Sequence, residues 1–183
     1  AQAHAEEHLQ DAVDYGRCFI KLGSPASYIP ELARVNKYQL GACIVNLDGT
    51  VMECGDTRTR FTIQSSSKLA SLILAISDKG SDYLFHDKVG VEPSGDPFNS
   101  IVKLETKTKP FNPFINAGAI TVADCIEGNS SEEKFERFLS FVRKLCGDEE
   151  ISLNETVYLS DKATGARNRA LAYYLKDSGI LES

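Results

Sequence analysis

Apolar side chains recur at helical spacing near the start of the chain. Leu9, Val13 and Phe19/Ile20, with the aliphatic stem of Arg17 beside Gly16, give residues 3–22 a period near 3.6. That rhythm predicts an amphipathic helix ending at Gly23, with Ser24-Pro25 as its breaker. Pro30, at a first helical position, predicts a short second turn through Leu32 and Val35. The period then falls to two. Leu40–Leu47 (LGACIVNL) reads as a strand, Asp48-Gly49 as a hairpin turn and Thr50–Cys54 as the returning strand. Arg60–Ile63 is a candidate third strand of the same sheet. From Ser65 the helical period returns, with Leu69, Leu72, Ile73 and Ile76 on one face and Gly80 as the stop. Residues 90–113 are rich in Pro, Gly, Asn and Ser and predict a long loop, either ordered or disordered, a feature that compact domains usually keep for function. Asn116–Ile126 reads as a buried small-residue helix. Ser130-Ser131-Glu132-Glu133 reads as a capping box opening a helix to Leu145, and two more helical stretches follow near 154–160 and 165–177.

The pattern is therefore helix, two or three strands, then almost entirely helix: an α+β, helix-rich chain. A sheet of so few strands is marginal by itself, so either the helices build their own core or further strands lie elsewhere. With 183 residues the chain is expected to form one domain. The charge balance of 20 basic and 26 acidic side chains gives no electrostatic reason for a nucleic-acid or anionic-membrane partner. No apolar run reaches the length of a bilayer span. Cys18, Cys43, Cys54, Cys125 and Cys146 are odd in number and form no CxxC pair, and His4, His8 and His86 are not near them in sequence. A Cys/His metal site and a disulfide framework are thus not indicated, and buried or unreactive thiols in a reducing cytoplasm fit better. The first ten residues carry no signal-peptide pattern. With no initiator Met, and Met52 alone of its kind, the start reads as processed or engineered.

Candidate chemistry centres on Gln64-Ser65-Ser66-Ser67-Lys68. Ser65 and Lys68 stand at i and i+3, one helical turn apart on one face, where an amine can take a hydroxyl proton. Ser66 and Ser67 lack that spacing. Ser65 also stands at a helix start, where unpaired N–H groups favour a developing oxyanion. Its plain alternative is an N-cap. The apolar helix beyond Lys68 could lower the lysine pKa by desolvation. Asn112 and Asn116 place two amides around a turn into a helix, suited to a carboxylate or carboxamide or simply to turn chemistry. Asp161, Arg167 and Asn168 flank the Thr164-Gly165 turn, His86 has no evident partner, and Tyr28 reads as a core aromatic.

The stretches YIPEL (28–32), FTIQSSSK (61–68), VGVEPSGDPFNS (89–100), NPFINAGAI (112–120) and TGARNRALAYYL (164–175) together resemble the serine-dependent glutaminase family. The resemblance runs in family order over nearly the whole chain from residue 24. It implies a β-lactamase/transpeptidase-like serine hydrolase fold, with an incomplete antiparallel sheet in this chain, and hydrolysis of L-glutamine to L-glutamate and ammonia. Carried over residue by residue, Ser65 is expected as nucleophile and Lys68 as its base. Gln64, Asn116, Asn168 and Tyr28 are expected to bind substrate. Asp161 falls where the family usually has Glu, so its carboxylate must reach about one methylene further to the substrate amine. Family members continue beyond the last helix, so residues 1–183 are expected to be the N-terminal portion of a single glutaminase domain. A cytoplasmic homo-oligomer acting on glutamine, with no cofactor and no metal, is the resulting expectation.

The sequence also admits two rival readings. A β-lactamase or penicillin-binding enzyme also uses Ser-x-x-Lys, but Ser160-Asp161-Lys162 and Lys162-Ala163-Thr164-Gly165 only approximate its further elements. The other is a catalytically incomplete chain that acts by association alone.

Overall fold

The computed structural model describes residues 2–101 and 109–182. Among these, the helices are α1 (Gln2–Phe19), α2 (Ser67–Lys79), α3 (Ser81–Tyr83), α4 (Asn116–Asp124), α5 (Ser131–Cys146), α6 (Glu155–Thr164) and α7 (Ala166–Asp177). The strands are β1 (Gly41–Val45) and β2 (Val51–Gly55). The chain divides into two compact units, Ala1–Thr62 with Asn154–Thr164, and Ile63–Leu153 with Gly165–Ser183.

In the first unit β1 and β2 form an antiparallel pair, with Gly41 opposite Gly55 and Val45 opposite Val51. The hairpin follows from its turn residues. Asp48 Oδ1 accepts from the Thr50 N–H at 2.9 Å, and Gly49 takes φ 85°, a conformation open to glycine. Helix α1 is fastened to this hairpin by Arg17, whose Nη2 donates to Leu40 O at 3.1 Å. The 3₁₀ turn Pro30–Arg34 starts at proline as expected and meets α6, where the Glu31 N–H donates to Ser160 Oγ at 3.3 Å. Val13, Ile29, Leu32 and Met52 are the buried apolar residues of this unit.

The second unit is helical among its described residues. One buried cluster joins Leu72, Leu74 and Ala75 of α2 with Leu84, Val89, Val122, Cys125 and Ile126. A second joins Ala117 of α4 with Leu171 and Leu175 of α7 and Ile180. Helix α5 has the expected cap: Ser130 Oγ accepts from the Glu133 N–H at 3.2 Å. Glu133 itself reaches back one residue further than the standard box, to the Asn129 N–H at 2.7 Å.

Several sequence readings need correction. Arg60–Ile63 adds no strand, because the backbone at Ile63 is already helical (φ −70°, ψ −18°) and Gln64 then turns to φ 45°. The helical path from Ser81 through a π-type turn at Leu84–Lys88 carries no period that the sequence reading separated from α2. Tyr28 is not a core aromatic but 65% exposed. His86 does have a partner, its Nδ1 lying 2.6 Å from Asp87 Oδ1. Cys18, Cys43 and Cys146 are exposed thiols, whereas Cys125 is buried. The expected 90–113 loop is ordered where described, with the Gly90 N–H bonded to Pro110 O at 2.8 Å and the Glu92 N–H to Phe111 O at 3.0 Å; its residues 102–108 lie outside the described residues.

Candidate active site

A 3₁₀ turn, Gln64–Ser66, runs directly into α2 and carries the Ser-x-x-Lys sequence. Its first residue, Gln64, is the one non-glycine residue with positive φ among those described. Such a conformation costs an L-residue on the order of 1–3 kcal/mol and persists only where surrounding structure enforces it. Neither the turn nor α2 takes a side-chain cap, which removes the N-cap alternative for Ser65. The three serines differ in engagement. Ser67 Oγ donates to Gln64 O at 2.7 Å, while Ser65 is exposed and its hydroxyl makes no hydrogen bond among the described residues.

Lys68 is held on the other side of this turn. Its Nζ donates to Phe114 O at 2.8 Å and to Asn116 Oδ1 at 2.9 Å. Asn116 Nδ2 in turn donates to Asn168 Oδ1 at 3.1 Å. A line of polar groups therefore runs from α2 through α4 to α7. The Phe98 ring also stands near the amine, its centroid 5.7 Å from Nζ. Burial pushes the Lys68 pKa below the usual lysine range. The two acceptors decide what that shift means. A neutral amine has two N–H bonds, both of which can be used here, and its remaining tetrahedral direction then carries the lone pair.

The loop before α4 builds this arrangement. Asn112 Oδ1 accepts from the N–H groups of Phe114 and Ile115 at 3.0 and 3.1 Å, and its Nδ2 donates to Glu92 O at 2.9 Å. Asn112 thus shapes the turn, and Asn116 is the amide that meets Lys68. The Asn116 N–H donates to Phe98 O at 2.8 Å, which holds the Phe98 segment beside Lys68. Gly118 lets the turn pack this closely, since a Cβ there would overlap the Asn112 carbonyl oxygen.

Gln64, Ser65, Lys68, Asn116 and Asn168 all belong to the second unit. Tyr28 and Asp161 belong to the first, and both are exposed. There they flank one junction, because the Glu31–Ser160 hydrogen bond joins the turn after Tyr28 to the helix that carries Asp161. Sequence reasoning missed the Phe114 carbonyl and the Phe98 ring: a backbone acceptor has no residue signature, and Phe98 reads as one aromatic in a loop. Among the described residues no three His, Cys, Asp or Glu side chains converge as a metal centre, and no helix is long and apolar enough to cross a membrane.

A profile of the glutaminase family matches residues 23–183. The chain belongs to the glutaminase family. It is 54% identical over 176 residues to glutaminase 2 of Clostridium perfringens, covering 95% of this chain and 57% of that protein. It is 50% identical to a glutaminase of Alkaliphilus metalliredigens, covering 97% and 58%. Among solved structures, the covalent complex of a Bacillus subtilis glutaminase with 5-oxo-L-norleucine, formed by reaction with 6-diazo-5-oxo-L-norleucine, superposes with a TM-score of 0.81 at 38% identity. That match covers 98% of this chain and 55% of the other. The chain thus spans somewhat more than half the length of the glutaminases it matches. Its fold is theirs: a helix-rich α+β fold of the β-lactamase-like class with a small antiparallel sheet, as the sequence led one to expect.

Proposed function

We propose that this glutaminase-family protein hydrolyses the side-chain amide of L-glutamine, giving L-glutamate and ammonia through a γ-glutamyl ester on Ser65. The observation that carries the reading is Lys68. Its amine is half-buried, fixed by the Phe114 carbonyl and the Asn116 amide, and lies one turn from an exposed serine hydroxyl without a partner among the described residues. Ser65 Oγ attacks the amide carbon and its proton passes to the Lys68 lone pair. The tetrahedral intermediate collapses with cleavage of the C–N bond, and the nitrogen takes up the proton that Lys68 had accepted and leaves as ammonia, which restores the neutral amine. Water then cleaves the ester, releasing glutamate and restoring the Ser65 hydroxyl. Gln64, Asn116 and Asn168 offer amides to the substrate, with the Tyr28 hydroxyl and the Asp161 carboxylate as further contacts. The covalent product of a diazo ketone on the Bacillus subtilis relative supports a nucleophilic mechanism.

The same reading has the protein act in the cytoplasm as a homo-oligomer. Free thiols at all five cysteines fit a reducing compartment, and exposed Leu22, Leu47 and Phe61 fit contact with another protein surface. Light scattering on the eluting protein measures the oligomeric state.

The deciding experiment is ammonia release from L-glutamine, with Ser65→Ala beside the unaltered chain and 6-diazo-5-oxo-L-norleucine labelling followed by peptide mass spectrometry. Turnover that vanishes in Ser65→Ala, with the label on the Ser65 peptide, is the expected result. A label elsewhere, or turnover that survives Ser65→Ala, overturns the assignment of Ser65.

A further inference from the structure

A further pair of chemically capable side chains stands in the first two turns of α1. His4 and His8 are four residues apart on α1, so they share one face. Their rings do more than share it: His4 Nε2 and His8 Nε2 are hydrogen-bonded at 3.0 Å, one donating and the other accepting, with ring centroids 4.2 Å apart and planes inclined at 63°, so a cation binding both nitrogens takes the place of the shared proton. Both are exposed.

We propose that His4 and His8 form a two-imidazole chelate for a late first-row divalent cation that favours right-angled coordination, Ni²⁺ or Cu²⁺. The argument is geometric. An imidazole nitrogen binds such an ion at about 2.0–2.1 Å. Two nitrogens at that radius and 3.0 Å apart subtend roughly 94° at the metal. This is the angle between neighbouring ligands in a square-planar or octahedral site; a tetrahedral ion would need them about 3.3 Å apart. The site accordingly fits Ni²⁺ and Cu²⁺ better than Zn²⁺. Glu7 places a carboxylate near the pair: its Oε2 lies 3.8 Å from His4 Nδ1, the nitrogen that the metal leaves free, close enough to attract the cation but not hydrogen-bonded to the ring. The solvent side supplies the remaining ligands as water. The cysteine spacing that spoke against a Cys/His centre has no bearing on this pair. Its consequence lies in the helix, because a chelate across one turn of α1 ties down its first two turns.

The test is calorimetric titration of the metal-free chain with Ni²⁺, its exposed thiols first alkylated. One equivalent should bind, at least tenfold more weakly in each of His4→Gln and His8→Gln, several-fold more weakly in Glu7→Gln, and unchanged in His86→Gln. Amide exchange over residues 3–9 should slow when Ni²⁺ is added. Circular dichroism confirms that the exposed substitutions leave the helix formed. Absence of Ni²⁺ binding, or binding that survives both single histidine substitutions, overturns the proposal.

Discussion

A lysine can act as a base only while neutral, and burial pushes Lys68 that way by withholding water from its ammonium form. With its pKa lowered, the neutral fraction appears at lower pH than for a free lysine near 10.4. The rate should therefore rise with pH on a limb that lies below the ordinary lysine range, as read from kcat against pH. Lys68→Arg, which keeps a charge it cannot release, should lose about 10²–10⁴-fold in kcat with a smaller effect on KM. An Arg variant with near-normal turnover would remove Lys68 as the base. Gln64 separates strain from binding. Gln64→Gly relieves the left-handed backbone, so thermal unfolding should show unchanged or raised stability while KM for glutamine rises. Lowered stability would mean that the side chain, not the backbone, holds the turn.

Caps and close approaches decide where the elements of the second unit begin. Ser130 closes the N-terminus of α5, and Ser130→Ala should cost about 0.5–2 kcal/mol in urea unfolding without moving KM. Gly118 lies one turn into α4, against the Asn112 turn that presents Phe114 O and Asn116 to Lys68. Gly118→Ala must push that turn away. It should destabilise by about 1–3 kcal/mol and lower kcat as well, because Lys68 loses its acceptors with the displacement. Stability lost with kcat intact would show that the turn moves without disturbing the amine.

At the scale of the whole molecule, helices are tied by charge as well as by apolar burial: Asp78 of α2, its side chain 1% exposed, binds the Arg137 guanidinium of α5 and the Glu127 N–H. Burial alone would raise the Asp78 carboxyl, but these donors outweigh it and hold it below the usual range. A carboxyl with a depressed folded pKa adds stability above its unfolded value, near 3.9, and loses it as pH falls through the folded value. Stability measured against pH should thus decline on the acid side, and Asp78→Asn should lower the neutral plateau and flatten that decline. An unchanged slope would assign the acid loss to other groups. The sequence by itself determined most of the elements. The apolar period of α2, the Asp48-Gly49 hairpin and the Ser130 cap are local, each set by side chains within a turn or two. Ser65 and Lys68 were legible for the same reason, being i and i+3 on one helix start. The 60–63 segment was misread because its short apolar alternation competes with the turn that opens α2, and only the packed chain settles which wins. Tertiary structure alone decided that Phe114 O, Asn116 and Asn168, 46 to 100 positions along the chain from Lys68, meet in one polar line. Hydrogen bonds between remote segments leave no periodicity to read; they exist only once the helices that carry them have packed.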